Sequence, residues 1–164
     1  MSRVSIIRTA GVASAAGIGV FVLTFTAWAA GPFEAFAGSW SGSGQIRLED
    51  GRSEGLRCHA HYATRQGGTA LGLALRCASA SNKIDLHADL RSTGDHVAGN
   101  WEERTFNVAG SASGRASGNS LRLEIDGGAF SGLMAVTTNG RNQSVSVRTD
   151  GAALRGINIS LRHE

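Results

Sequence analysis

From Gly38 onward, apolar and polar residues alternate with a period of two, and turn residues interrupt the alternation roughly every 8–12 positions. No segment there sustains a helical stripe, and Phe33 to Phe36 is expected to make at most one turn. After Pro32 there is no proline, while glycine recurs at intervals suited to hairpins. Taking Gly67-Gly68 as a turn centre places Thr64 opposite Leu71, Tyr62 opposite Leu73, Ala60 opposite Leu75 and Cys58 opposite Cys77. A turn at Thr93-Gly94 likewise sets the face of Ile84, Leu86, Ala88 and Leu90 against Val97, Gly99 and Trp101. Gly118-Asn119 pairs Ala116 with Leu121, Gly127-Gly128 pairs Ile125 with Phe130, and the turn Asn139-Gly140-Arg141 pairs Val136 with Val145. A slip of one residue would send every side chain to the wrong face, so repeated agreement of apolar faces carries information. Glu49 to Arg52 needs a three-residue loop or a glycine bulge, and the link between Val147 and Ile157 needs a longer one.

The predicted fold is all-β: an antiparallel up-and-down meander of about ten strands, closed into a barrel because an open meander would leave two bare edges. One face holds Trp40, Ile46, Leu48, Leu56, Leu73, Leu75, Leu86, Leu90, Trp101, Leu123, Ile125, Met134, Val145, Ile157, Ile159 and Leu161. The other holds Arg47, Arg57, His59, His61, Arg76, Lys83, Asp85, His87, Asp89, Glu102, Arg122 and Glu124. Outer-membrane barrels are apolar outside and polar inside. Here the continuous charged set belongs outside, which predicts a soluble barrel.

The chain begins differently. Arg3 and Arg8 precede an uncharged apolar stretch from Ala10 to Ala27, and Ala27-Trp28-Ala29 offers the small-x-small pattern of a cleavage site. Residues 1–30 are therefore expected to be a signal peptide and 31–164 a single barrel domain, periplasmic or secreted, with no membrane span in the mature chain. The alternative is an uncleaved N-terminal helix tethering the domain to the inner membrane. Cys58 and Cys77 are the only cysteines, and an even pair in an exported chain predicts one disulfide. The formal charge of +3 falls to +1 without Arg3 and Arg8, leaving fourteen basic residues against thirteen acidic. Arg47, Arg57, Arg76, Arg91, Arg122, Arg148 and Arg162 are spread along the chain among acids, so no nucleic-acid partner is expected.

Gly38-Ser39-Trp40 opens the first long strand, and Gly99-Asn100-Trp101 lies inside the fifth. The first resembles the G-x-W signature of the lipocalins and the wider calycin group, which includes avidins and fatty-acid-binding proteins. That resemblance implies a barrel whose early Trp plugs one end while the other end admits a ligand. In lipocalins an Arg of the last strand packs on that Trp; the nearest candidate, Arg162, has outward parity. The chain as a whole is similar to small exported proteins of unknown function from alphaproteobacteria.

His59-Ala60-His61 sets two imidazoles on one face of a strand, but their cross-strand neighbours Ala74 and Arg76 cannot complete a metal site. Glu103 is expected at the wet mouth and Tyr62 as a cap on the core, rather than as an acid–base pair. The serines sit in no nucleophile elbow, and no helix follows Gly110-Ser111-Ala112-Ser113-Gly114 to cradle a phosphate. The reading is therefore not an enzyme, with no cofactor and no metal. Gly42, Gly44, Gly99, Gly110, Ala112, Gly114, Ala116 and Gly132 fall on the inner face, leaving room either for a ligand or for large neighbours. Two functions follow. In the first, a small apolar ligand lies among Trp40, Tyr62, Leu73, Leu86, Trp101 and Met134. In the second, a filled barrel acts through its surface as an envelope structural or protein-interaction factor.

Overall fold

A computed structural model describes residues 30–164; the expected signal segment lies outside the described residues. After a one-turn 3-10 helix, Glu34–Phe36, come ten strands: β1 (Gly38–Leu48), β2 (Ser53–Arg65), β3 (Ala70–Ala78), β4 (Lys83–Thr93) and β5 (His96–Glu103), then β6 (Val108–Ser117), β7 (Ser120–Asp126), β8 (Ser131–Asn139), β9 (Asn142–Asp150) and β10 (Leu154–His163). Each pairs antiparallel with its sequence neighbours, and β10 returns to β1, so the sheet closes into a barrel with no free edge. The apolar positions of the alternation are the buried ones, and the charged positions are outside.

The predicted registers are largely those observed. Tyr62 faces Leu73, Ala88 faces Trp101, Ala116 faces Leu121, and Val136 faces Val145. Between β2 and β3 the loop is Gln66–Thr69, with Gly67 and Gly68 both at positive φ. That register puts Cys58 against Cys77, bonded as a disulfide with Cα atoms 4.1 Å apart, the close spacing of a non-hydrogen-bonded pair. The β1–β2 turn is a three-residue loop in which Leu48 N–H donates to the Arg52 carbonyl and Gly51 takes φ +84°. One pairing differs from expectation. Ile125 faces Gly132, not Phe130, because Gly127–Phe130 form a wider loop closed by Gly127 N–H donating to the Phe130 carbonyl.

The two ends of the barrel are unlike. At one end, the Gly31–Ala37 segment crosses the opening, with Gly31 N–H donating to the Gly67 carbonyl (2.9 Å) and Phe33 N–H to the Gly68 carbonyl (3.1 Å). It drives Phe33 and Phe36 into full burial. Trp40 Nε1–H donates to the Phe36 carbonyl at 2.9 Å, and the imidazole of His163 meets the indole edge to face at 4.8 Å. Arg162 points outward as its parity requires, and it is His163 that packs on Trp40.

The inward glycines have a backbone reason. A Cβ at Gly42, Gly44, Gly99, Gly110 or Gly114 would come within 1.8–2.1 Å of a carbonyl oxygen on the adjacent strand. These positions let sharply coiled strands approach closely. They are a requirement of curvature before they are a source of space.

Candidate functional site

The ten-stranded wall encloses more volume than its side chains fill. A cavity of about 480 Å³ runs from the unplugged end of the barrel down to Tyr62, Leu71, Leu90 and Leu121. Its wall is built by inward positions of the strands: Ile46 from β1, Leu73 and Leu75 from β3, Ile84, Leu86 and Ala88 from β4, Leu123 and Ile125 from β7, Val145 and Val147 from β9, Ile157 and Ile159 from β10. Met134 of β8 and Trp101 of β5 complete it. Trp101 holds a fixed orientation. Its Nε1–H donates to the Ser111 carbonyl at 3.0 Å, and its ring lies over Gly110, where a Cβ would sit 2.9 Å from the indole.

Tyr62, Leu73, Leu86, Trp101 and Met134 thus share one cavity. Trp40 does not line it. That indole is packed in the plugged end with Phe36 and His163, beneath the floor. Strand parity places a residue inside or outside but says nothing of its height along the barrel, so parity alone groups Trp40 with the others.

The mouth is formed by loops that the alternation could not reach. Phe106 from the β5–β6 loop, Phe130 from the β7–β8 loop, Ala152 and Ala153 from the β9–β10 connection, and Leu154 at the start of β10 all line the upper cavity. Phe106 is 60% exposed, and Phe130 leans on Trp101 at 5.8 Å. An apolar residue in a polar turn, as in Arg104-Thr105-Phe106-Asn107, was the available signal for the first.

Few polar groups meet this space, and those are engaged. Glu103 accepts from the backbone N–H of Asp85 through one carboxylate oxygen and from that of Phe106 through the other, each at 2.7 Å. It fastens the β5–β6 loop to β4. At the floor, the Tyr62 hydroxyl donates to Gln143 Oε1 (2.8 Å), and Gln143 Nε2 donates to Thr138 Oγ1 (3.2 Å), all three being buried. Burial raises the Tyr62 hydroxyl above its ordinary pKa, so it stays a neutral donor. Asn82 reaches the rim from the β3–β4 loop, which is gathered around Glu54. The Ser79 and Ser81 hydroxyls hold the Glu54 carboxylate, with Asn82 Nδ2 and Ser81 N–H adding to them, and its pKa falls to about 2.

The histidine pair lies outside. His61 Nδ1 meets Ser39 Oγ at 3.1 Å, and His59 lies 3.5 Å from the Glu164 carboxylate. Among the described residues no three His, Cys, Asp or Glu side chains converge as a metal site would require.

No protein-family model and no curated protein matches the chain. Among solved structures, it is similar to Rv2717c from M. tuberculosis, at 14% identity and a TM-score of 0.64 over 80% of this chain and 94% of that one. It is also similar to the S-type phycobiliprotein lyase CPES from Guillardia theta, at 9% identity and a TM-score of 0.57 over 80% of this chain and 90% of the other. At these identities the likeness shows the fold alone, a closed antiparallel β-barrel.

Proposed function

We propose that the protein is an exported binding protein that carries one small, largely apolar molecule inside its barrel. The observation that carries this reading is the hollow interior itself. A cavity of about 480 Å³ falls within the roughly 300–1,000 Å³ of small-molecule sites, and its wall is hydrocarbon and aromatic with a few polar groups near the rim. Such a wall rewards a ligand for the apolar area it hides from water and penalises any buried charge. The ligand's body is therefore neutral, and any polar end faces Asn82 and the solvent at the mouth. Export is supported by the apolar N-terminus with its alanine cleavage pattern and by the disulfide, which persists in oxidising compartments. The cavity favours this reading over the filled-barrel alternative, which needs inner side chains to meet across the axis.

The test uses Trp101 as reporter in a Trp40→Phe background. Titration with neutral aromatic and single-chain aliphatic compounds should change its fluorescence saturably. Ala88→Phe, which puts bulk into the cavity without adding an indole, should abolish that binding while leaving the unfolding transition cooperative. Absence of saturable binding across the panel, or binding indifferent to Ala88→Phe, would sink the proposal.

A further inference from the structure

Barrel closure changes the charge distribution that the chain presents in sequence. Because β10 pairs with β1, the strands β9, β10, β1 and β2 form one continuous outer face. Its outward residues are Asn142, Ser144, Ser146 and Arg148 on β9; Asn158, Ser160 and Arg162 on β10; Ser39, Ser41, Ser43, Gln45 and Arg47 on β1; and Ser53, Gly55, Arg57, His59 and His61 on β2. The one carboxylate of the same outward parity on these strands is Asp150, the last residue of β9 at the mouth end. Arg47, Arg57, Arg148 and Arg162 are all exposed, and among the described residues none of the four is ion-paired. Elsewhere on the wall carboxylates stand beside several arginines: Asp85 beside Arg76, Glu102 beside Arg104, Asp95 beside Arg115, and Asp89 beside Arg65 at the far end of β2, while Arg91 and Arg122 are not ion-paired among the described residues. The acids nearest the bare face lie at its margins. Glu49, Asp50 and Asp150 are taken up by Arg155 and Arg52 at the mouth end, and Glu164 sits beside His59 at the other.

We infer that this face binds an acidic polysaccharide. With strands ~4.8 Å apart and ~3.3 Å per residue, it measures about 14 Å across and about 26 Å along β1, enough for several sugar units. Arg148 and Arg47 flank Gly156 in one row, and Arg47 extends over that glycine. Arg57 pairs across with Ser43, and Arg162 with Ser41, so the guanidinium groups are interleaved with hydroxyls and amides. Guanidinium forks match carboxylate, sulfate or phosphate groups, while serine, asparagine and glutamine suit sugar hydroxyls. The outward set contains no Phe, Tyr or Trp platform for stacking successive bases, as single-stranded nucleic acid requires, and no large apolar side chain to enter a bilayer. The site lies on the outside of the wall and is independent of the cavity.

Binding to polygalacturonate should be measured beside neutral dextran, a DNA duplex and phosphatidylglycerol vesicles. Polygalacturonate should bind, weaken as salt rises, and lose affinity at least about tenfold when Arg47, Arg57, Arg148 and Arg162 are all changed to Gln. The charge-matched set Arg65→Gln, Arg76→Gln, Arg104→Gln and Arg115→Gln should leave binding unchanged, and the pair Arg57→Gln with Arg162→Gln should give an intermediate loss. Equal binding of dextran, stronger binding of DNA or vesicles, equal losses in both quadruple sets, or no binding of polygalacturonate would each overturn the inference. Cavity-ligand binding, read from Trp101, should be untouched by either set, which separates this site from the one inside.

Discussion

The Cys58–Cys77 bridge permits a quantitative prediction, because the register on both sides of it is known. The bridge joins β2 to β3 across a sequence separation of 19. In the folded barrel the two backbones are already held side by side by the ladder from Arg57–Ala78 to Arg65–Ala70, so the bond adds little new native contact. Its effect falls mainly on the unfolded chain, whose loop it closes. The chain-entropy treatment gives about 3 kcal/mol for a loop of this length. For a domain of this size each kcal/mol moves Tm by about 3–4 °C, so Cys58→Ala with Cys77→Ala should lower Tm by about 10 °C. Both sulfurs face the buried side of the wall, and alanine avoids burying the new hydroxyl that serine would introduce there. Denaturant unfolding should also show a larger m for the double variant, because the unlinked chain exposes more surface when unfolded. The reasoning fails if the loss is below about 1 kcal/mol, or if m is unchanged while stability falls, since either result would place the effect in the native state.

Other substitutions test other parts of the wall. Gly99→Ala sets a methyl about 2.0 Å from the Asp89 carbonyl oxygen and should cost about 1–3 kcal/mol, whereas Gly55→Ala on the open outer face should be neutral or slightly stabilising; paired urea melts decide it. Tyr62→Phe leaves the buried Gln143 Oε1 without its donor and should cost about 1–3 kcal/mol by thermal unfolding, with cavity binding retained. Glu54 has a lowered folded pKa, so its hold on the β3–β4 loop is complete above the ordinary carboxylate range and is lost as pH falls toward about 2. Amide exchange at Ser81 and Asn82 should accelerate over that window, relative to the intrinsic rate, and Glu54→Gln should remove the pH dependence.

Most of the strand framework was legible because one face of every strand is buried. Under that constraint a slip of register exposes a whole row of apolar residues, so turn positions and pairings such as Tyr62–Leu73 and Val136–Val145 could be read together. The constraint vanishes in loops. Phe130 was assigned to a strand end and instead leaves the ladder to cover the mouth, and Phe106, also from a loop, was not seen as a wall residue at all. It is silent as well about position along the axis, which separated Trp40 from the cavity. Arg47, Arg57, Arg148 and Arg162 looked scattered for a third reason: their proximity exists only once β10 has found β1.

The hollow interior is a different matter, because its cause was present in the strand count. Eight strands enclose a space that side chains just fill, and the diameter grows roughly linearly with strand number. Ten strands therefore leave a gap along the axis unless large residues reach across it. Here the curvature of those strands demands glycine at Gly42, Gly44, Gly99, Gly110 and Gly114, where side chains would otherwise point inward. The close approach that closes the wall thus also strips it of bulk. One end is then stoppered by Phe33, Phe36 and Trp40, which are spent on the plug and cannot fill the middle. Wide circumference, glycine-rich coiling and an aromatic plug at one end together require a cavity that opens at the other.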